Sequence, residues 1–563
     1  MIAPHIILQY LNMKRFFLIV ILIIAVACEK EPPSPGPNPK PPVETRDDIS
    51  QFDSRQWDGI KRGGVFYEIF VRSFADSNGD GIGDIKGITE KLDYLNQLGV
   101  AGIWLTPIHQ SPSYHGYDVD DYKTVKTEYG TIKDFEEMTS KANSLGIKVI
   151  IDLVLNHTSK NHAWFTQAIS SSSNSFRNYY LFAPSGSVEN YITSGRVPMT
   201  DFFYSGQWHN VPSGTTEDKY MGMFSEWMPD LNYGEVDTCE KSSVFREMIE
   251  ISKFWLSKGV SGFRLDAVKH IYQNETSDEN PLFLKKFFDE LKNYKSDLYM
   301  VGENLSGNYK DVAPYYKGLP ALFNFDAWYK LIYAIENSHA KWYPKDIIEM
   351  EALFKLQRSD AMNVTKLSNH DEDRTLSRLG GNTERAKIAA AILLTISGSP
   401  YLYYGEEIGM LGMKGNGDEN VREPYLWAQV SSDNYRTTWR KPTFSTDITV
   451  KPLEQQKKDL TSIFRVYEKF IKLRNTYPSL AYGNISLPSN FDIYEKNFMV
   501  FYREFQGEKL MIIHNVSPNI ATFTTNEPIL KPVADMGKVS YSKINSTTHS
   551  ITMPPYSTII FEI

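Results

Sequence analysis

The chain has 563 residues, more than one small hydrophobic core can organise, so one large domain with one or two smaller ones is expected. With 41% hydrophobic and 23% charged residues it is neither a disordered nor a low-complexity chain. The net charge is −8 and no basic cluster stands out, which argues against a nucleic-acid partner. The 34 Tyr and 10 Trp offer many flat rings of the kind that stack on sugars.

The first predicted element is an address. Met13-Lys14-Arg15 leads into an apolar run from Phe16 to Ala27 that is too short for a comfortable membrane span. This reads as a signal peptide over 1–27 with Met13 as the working start; the alternative is an uncleaved membrane anchor. Ala25-Val26-Ala27-Cys28 resembles a bacterial lipobox, although Ala25 stands where Leu is usual, and implies lipidation of Cys28. The other cysteine is Cys239, so an acylated Cys28 leaves no disulfide. Residues 28–54 read as the acylated Cys and an extended Pro-rich spacer that holds a domain off a membrane. Glu29-Lys30-Glu31 resembles the charged surface-export signals of some Gram-negative lipoproteins. Together these give an outer-membrane, lipid-anchored protein facing the cell exterior.

From Gly64 the sequence alternates apolar strand, loop and amphipathic helix. Strands are expected at Val65–Val71, Val100–Ile108, Ile147–Leu155, Gly262–Asp266, Leu298–Glu303, Ala321–Phe325, Val364–Ser368 and Pro400–Tyr404. Leu98-Gly99-Val100, Leu145-Gly146-Ile147 and Lys258-Gly259-Val260 each read as a helix C-cap feeding a buried strand. This is the pattern of a (β/α)8 TIM barrel, with its site at the C-terminal strand ends. The runner-up, an open doubly wound sheet, lacks a Gly-rich nucleotide loop after the first strand. The gap from His157 to Gly259 is too long for a loop and reads as an inserted domain. Late strands at Phe498–Tyr502, Leu510–His514 and Thr558–Phe561 suggest an all-β sandwich. The expected division is barrel over 55–156 and 238–478, insert over 157–237, and C-terminal β-sandwich over 479–563.

Three strand ends carry carboxylates: Asp266 on the fourth, Glu303 on the fifth and Asp371 just past the seventh. Arg264 and Asp266 are two apart and leave the strand on one side, so the guanidinium keeps that carboxylate ionised and aims it. An isolated Arg-x-Asp would be a structural ion pair; three such ends read as one site. Separately, Asp76-Ser77-Asn78-Gly79-Asp80-Gly81-Ile82-Gly83-Asp84 sets side-chain oxygens at alternate positions, with a backbone carbonyl available at Ile82. That spacing suits a hard cation. An EF-hand would need Glu at position 87, which is Gly87. An Asp/Gly turn without metal is the alternative.

Asp152-Leu153-Val154-Leu155-Asn156-His157, Gly262 to His270, Gly302-Glu303 and Asn369-His370-Asp371, with Met228-Pro229-Asp230-Leu231-Asn232 and Gly405-Glu406-Glu407-Ile408-Gly409, together resemble glycoside hydrolase family 13, the α-amylase family. Lys366 to Arg374, Gly262 to Tyr272 and the lipobox are most similar to the lipid-anchored cell-surface α-amylases of bacterial starch-utilisation systems. In some of these a carbohydrate-binding module interrupts the insert, and the short insert here argues that it is absent. The resemblance implies a retaining hydrolase of internal α-1,4 bonds in starch and malto-oligosaccharides. Asp266 would be the nucleophile, Glu303 the acid/base, and Asp371 the grip on sugar hydroxyls. It implies substrate contacts for Tyr117, Asp118, His157, Arg264, Lys269 and His370. It places Ca²⁺ in the Asp76, Asn78, Asp80, Ile82, Asp84 loop, where Mg²⁺ stays open. A second Ca²⁺ would sit on Asn156, Asp230 and the backbone carbonyl of His270. Outer-membrane glycan-uptake proteins are the implied partners.

Lys269-His270 and the Met228-Pro229-Asp230 form favour endo action, whereas Asp118 after Tyr117 is what exo-acting relatives carry. An exo-acting α-glucosidase, a neopullulanase-like enzyme or transglycosylase, and a non-catalytic glycan-binding homologue remain the alternatives.

Overall fold

The computed structural model describes residues 63–184, 207–211, 218–273, 275–415 and 417–563. The signal and spacer, with Cys28, lie outside the described residues, as does part of the insert. Eight strands form the centre: β1 (Phe66–Ile69), β2 (Gly102–Leu105), β3 (Lys148–Leu153), β4 (Gly262–Leu265), β5 (Tyr299–Gly302), β6 (Ala321–Phe323), β7 (Met362–Lys366) and β8 (Ser399–Tyr403). They pair in chain order, all parallel, and β8 closes on β1. The expected (β/α)8 barrel is therefore the fold.

The helices between the strands start and stop where the chain tells them to. Asp84 caps Ile85–Leu98 by accepting from Gly87 N–H, and Gly99 ends it at φ 94°. Thr131 and Asp134 form a reciprocal capping box for Ile132–Ser144. Ser242, Asn324 and Ser462 cap Ser243–Ser257, Phe325–Glu336 and Ile463–Thr476. Gly259 has φ 93°, and a Cβ there would meet Thr139 Oγ1 at 2.7 Å, so only glycine lets this helix turn tightly into β4.

Register converts the strands' alternation into layers inside the barrel. Phe66 pairs in register with Gly102 and Tyr401, and its ring stacks on Tyr401 at 4.7 Å and Tyr299 at 5.2 Å. Phe66 occupies the space a Cβ on Gly102 would need. Two residues on, toward the C-terminal ends, the inward positions turn charged: Glu68 pairs with Trp104, and Asp152 with Arg264. The barrel thus has an apolar plug below and a buried charged layer above it.

The insert contributes a small antiparallel sheet in the order Phe182–Pro184, Asp218–Met221, Trp208–Asn210. It returns to the barrel through the bridges His157↔Asp230 and Tyr180↔Leu231. The C-terminal region holds a five-stranded sheet, in which Phe498–Phe505, Glu508–Asn515 and Ser557–Glu562 are adjacent, and a three-stranded sheet. Alternation assigns its faces. Phe498, Val500, Met511, Ile513, Ile559 and Phe561 join Phe523 and Ile551 of the smaller sheet in one core. The intervening Met499, Phe501, Leu510, Ile512 and Ile560 belong to the barrel's core.

Candidate active site

A cleft of about 480 Å³ opens at the C-terminal strand ends. Asp266, Glu303 and Asp371 line it together, with Tyr117, His157, Lys269 and His270. Arg264 lies beneath and is buried. Its Nη1 donates to Asp152 at 2.7 Å and to Asp266 at 2.5 Å, and its Nη2 lies 3.1 Å from Glu303 Oε2. One planar cation therefore fixes Asp266 and Glu303 side by side. Glu303 Oε2 also accepts from Ala267 N–H at 3.2 Å. Ala267 adopts φ 45°, a left-handed conformation that costs a non-glycine residue on the order of 1 kcal/mol and that aims its N–H at the carboxylate.

A second cation sits under Asp371. His370 is fully buried, and its Nδ1 is 2.6 Å from Glu68 Oε1. Its Nε2 is 3.0 Å from Asp371 Oδ2 and 2.6 Å from the Tyr117 hydroxyl. Burial alone would lower the His370 pKa, but Asp371 and Glu68 outweigh it and raise it to about 10. Arg422 Nη2 holds the other Asp371 oxygen at 2.9 Å, and its Nε donates to His370 O. Burial would raise Asp371; His370 and Arg422 instead hold it well below the usual carboxylate range.

Asp266 and Glu303 move the other way. Burial raises both, and Arg264 pulls both back. For Glu303 the repulsion from Asp266 and Asp371 adds to burial and does not lead it. Asp152, behind Arg264 and fully buried, is pushed by burial to about 7.

The remaining predicted contacts divide. Tyr117 stacks parallel to His370, with centroids 5.6 Å apart, and its hydroxyl also donates to Asp152. His157 is buried, with Nε2 unpartnered, and burial lowers its pKa to about 4, so it is neutral. Lys269 Nζ pairs with Glu275 at 3.0 Å. Asp118 is buried outside the cleft lining, its carboxylate accepting from the hydroxyls of Ser111 and Ser113. Asn156 and Asp230 meet behind the wall: Asn156 Nδ2 donates to Asp230 Oδ1 at 3.2 Å, while Asp230 Oδ2 is buried and unpartnered. Burial pushes Asp230 up to about 8.

In the Asp76–Asp84 loop, Asp76 accepts from the N–H groups of Asn78, Gly79 and Gly81. Asp84 accepts from Ser77 and Gly87. None of the loop's residues lines the cleft. Among the described residues no group of three or more His, Cys, Asp or Glu side chains is gathered as a metal cluster.

Sequence reasoning passed over Glu68, Asp152, Arg422 and Phe224. Glu68 carried a signal, a carboxylate in the otherwise apolar run around Phe66–Ile69, and Asp152 opens a motif already singled out. Arg422 follows β8 on a loop whose sequence gives no hint.

A closed parallel barrel with paired carboxylates at its mouth, aimed by one arginine, defines the class: a glycoside hydrolase. The Alpha amylase, catalytic domain family matches residues 68–483, and the chain belongs to the α-amylase family. It is 35% identical to Alpha-amylase SusG of Bacteroides thetaiotaomicron over 90% of this chain and 92% of that protein. It is 30% identical to an Oligo-1,6-glucosidase of Bacillus cereus over 89% of this chain and 98% of that one. The crystal structure of α-amylase from H.orenii superposes with a TM-score of 0.79 and 35% identity, covering 89% of this chain and 99% of that one.

Proposed function

We propose that the protein is a retaining, endo-acting α-amylase that cleaves internal α-1,4 bonds of starch and malto-oligosaccharides. The observation that carries this is the shared guanidinium of Arg264, which holds Asp266 and Glu303 on one fork in the cleft. Retaining glycosidases set their two carboxyl groups roughly 5–5.5 Å apart, with no room for water between nucleophile and sugar, and two carboxyl groups sharing one guanidinium fit that arrangement. Asp266 Oδ attacks the anomeric carbon as Glu303 gives its proton to the departing glycosidic oxygen, leaving a glycosyl ester on Asp266. Glu303, now a carboxylate, takes a proton from water as that water attacks the same carbon and releases Asp266. Burial raises the Glu303 pKa, which favours the acid form the first step needs, and Arg264 holds Asp266 more closely than Glu303, which favours the anion there. Asp371, ionised and held by His370 and Arg422, accepts from the sugar's hydroxyls and favours the distorted ring. His157 donates to a hydroxyl, and Tyr117 stacks on the ring.

The position of Asp118, tied to Ser111 and Ser113 and absent from the cleft lining, supports endo action by leaving that end of the cleft without its carboxylate. The test is digestion of soluble starch followed by viscosity, iodine staining and chromatography. Internal cutting drops viscosity and staining ahead of reducing ends. Glucose as the sole early product, with viscosity unchanged, would give the exo reading instead.

The reading extends to cations and address. The Asp76, Asn78, Asp80, Asp84 side chains and the Ile82 carbonyl form an all-oxygen donor set that fits a hard ion, Ca²⁺ or Mg²⁺. The orphaned buried Asp230 Oδ2 fits a second Ca²⁺ held with Asn156 and the His270 carbonyl. Both ions would brace loops and take no part in proton transfer. Acylation of Cys28 would tether the enzyme to the outer membrane facing polymers too large to import, beside glycan-uptake proteins.

A further inference from the structure

We propose that Phe224 and Trp227, on the insert's last loop, form an aromatic platform that extends the cleft by a further glucosyl-binding position and so favours longer chains. The inference rests on the α-glucan reading above. Phe224 lines the cleft, 47% exposed, its ring 5.3 Å from His270 and 5.4 Å from His157. Met228 lines it as well, and between them in sequence Trp227 stands 56% exposed. Neither ring is core, and large apolar rings held open to water beside a binding cleft mark a binding surface.

The loop is fixed in place. Thr158 N–H donates to Pro229 O at 3.2 Å and Lys160 N–H to Trp227 O at 2.9 Å, so the loop is laced to the chain that follows His157. Trp227 N–H donates to Ser225 Oγ, and Met228 N–H to Ser225 O. A platform already in position loses little entropy on binding. Lys160 Nζ lies 4.7 Å from the Trp227 ring. The ammonium lies over one side of the indole, and the ring, 56% exposed, still presents apolar surface beside a cationic donor. That matches a glucosyl unit, whose C–H face is apolar and whose rim is hydroxyls.

The test compares the full-length enzyme with W227A and W227F on maltoheptaose and maltotriose. Trp227 is outside the cleft lining, so a trisaccharide held at the reacting centre does not need it. W227A is expected to lose about tenfold in kcat/KM on maltoheptaose, the scale of truncating a contributing aromatic, and less than twofold on maltotriose. W227F, which keeps a ring face, is expected to stay within twofold on both. Equal losses on both lengths, or no loss on maltoheptaose, would overturn the platform. A wild-type enzyme inactive on both sugars would overturn the α-glucan reading and the platform with it. If W227A does not fold, W227Q makes the same comparison.

Discussion

Replacing Glu68 by Gln tests the electrostatics under Asp371 most directly. The change keeps shape and one acceptor oxygen but removes the charge 2.6 Å from His370 Nδ1. His370 is fully buried and faces Glu68, Asp371 and Tyr117. Folding raises its pKa from about 6.5 to about 10, so the stabilisation is whole below pH about 6.5 and is lost as pH climbs through about 10. At pH 7 the linkage is on the order of 4 kcal/mol. That agrees with the cost, roughly 3–5 kcal/mol, of removing one partner from a buried ion pair. Unfolding a chain of this length carries an entropy of about 1 kcal/mol/K, so Glu68→Gln is expected to lower Tm by a few degrees at pH 7. The difference from wild type should shrink toward pH 10, where wild type loses the same term. Activity should acquire a titration at a pH below the wild-type His370 value of about 10, as His370 deprotonates more readily and Asp371 loses a donor. Calorimetry from pH 6 to 10 and a kcat/KM profile on one oligosaccharide make the measurement. A variant that melts and titrates like wild type across that range would refute the reasoning.

Other outcomes follow from the same geometry. Asp266→Asn should remove activity by several orders of magnitude without lowering Tm, and an activated fluoro-glycoside should trap a covalent adduct on Asp266 alone, read by peptide mass. Because the acid must start protonated, kcat/KM should fall as pH rises through a Glu303 pKa held above the ordinary Glu range, and Glu303→Gln should abolish that limb. Chelation should lower Tm, more at pH 8 than at pH 5. A metal-free Asp230 raised to about 8 destabilises the fold progressively as pH rises from about 4 to 8, and Asp230→Asn should flatten that dependence. Cys28→Ala should shift the enzyme out of the membrane fraction; unchanged fractionation would favour an ordinary transmembrane anchor.

The barrel was legible because its strands are short apolar runs ending in polar loops, and before β2, β3 and β4 Gly99, Gly146 and Gly259 each adopt the left-handed turn the sequence suggests. Asp266, Glu303 and Asp371 were legible because charge at the end of an apolar strand is unusual. What periodicity could not give was register. Glu68 and Trp104 share a level with each other, and Asp152 shares one with Arg264, only because the barrel closes with that stagger. Local spacing carries no information about strands that far apart in sequence. Asp118 was named for its place after Tyr117; in the fold the hydroxyls of Ser111 and Ser113, seven and five residues earlier, donate to its carboxylate, a contact that spacing does not reveal.

The charged layer as a whole favours a carboxyl group that keeps its proton. Glu68, Asp152, Asp266, Glu303 and Asp371 crowd around Arg264, Lys366, His370 and Arg422, and Arg422 is shared with Asp418 as well. Lys366 is buried at the end of β7, its ammonium 4.3 Å from the rings of Phe325 and Trp328. Burial makes an uncompensated charge expensive, which favours a protonated carboxyl group in this layer. Where that proton rests follows from the contacts. Asp371 holds two cationic donors and cannot keep it, and Glu68 is spent on His370. The choice falls among Asp152, Asp266 and Glu303, which share Arg264 and titrate as a set. Nη1 reaches Asp152 and Asp266 at 2.7 and 2.5 Å, against 3.1 Å from Nη2 to Glu303, so the weakest hold is on Glu303. The residue least bound to the arginine, and open to the cleft, is the one that a departing glycosidic oxygen needs to find protonated.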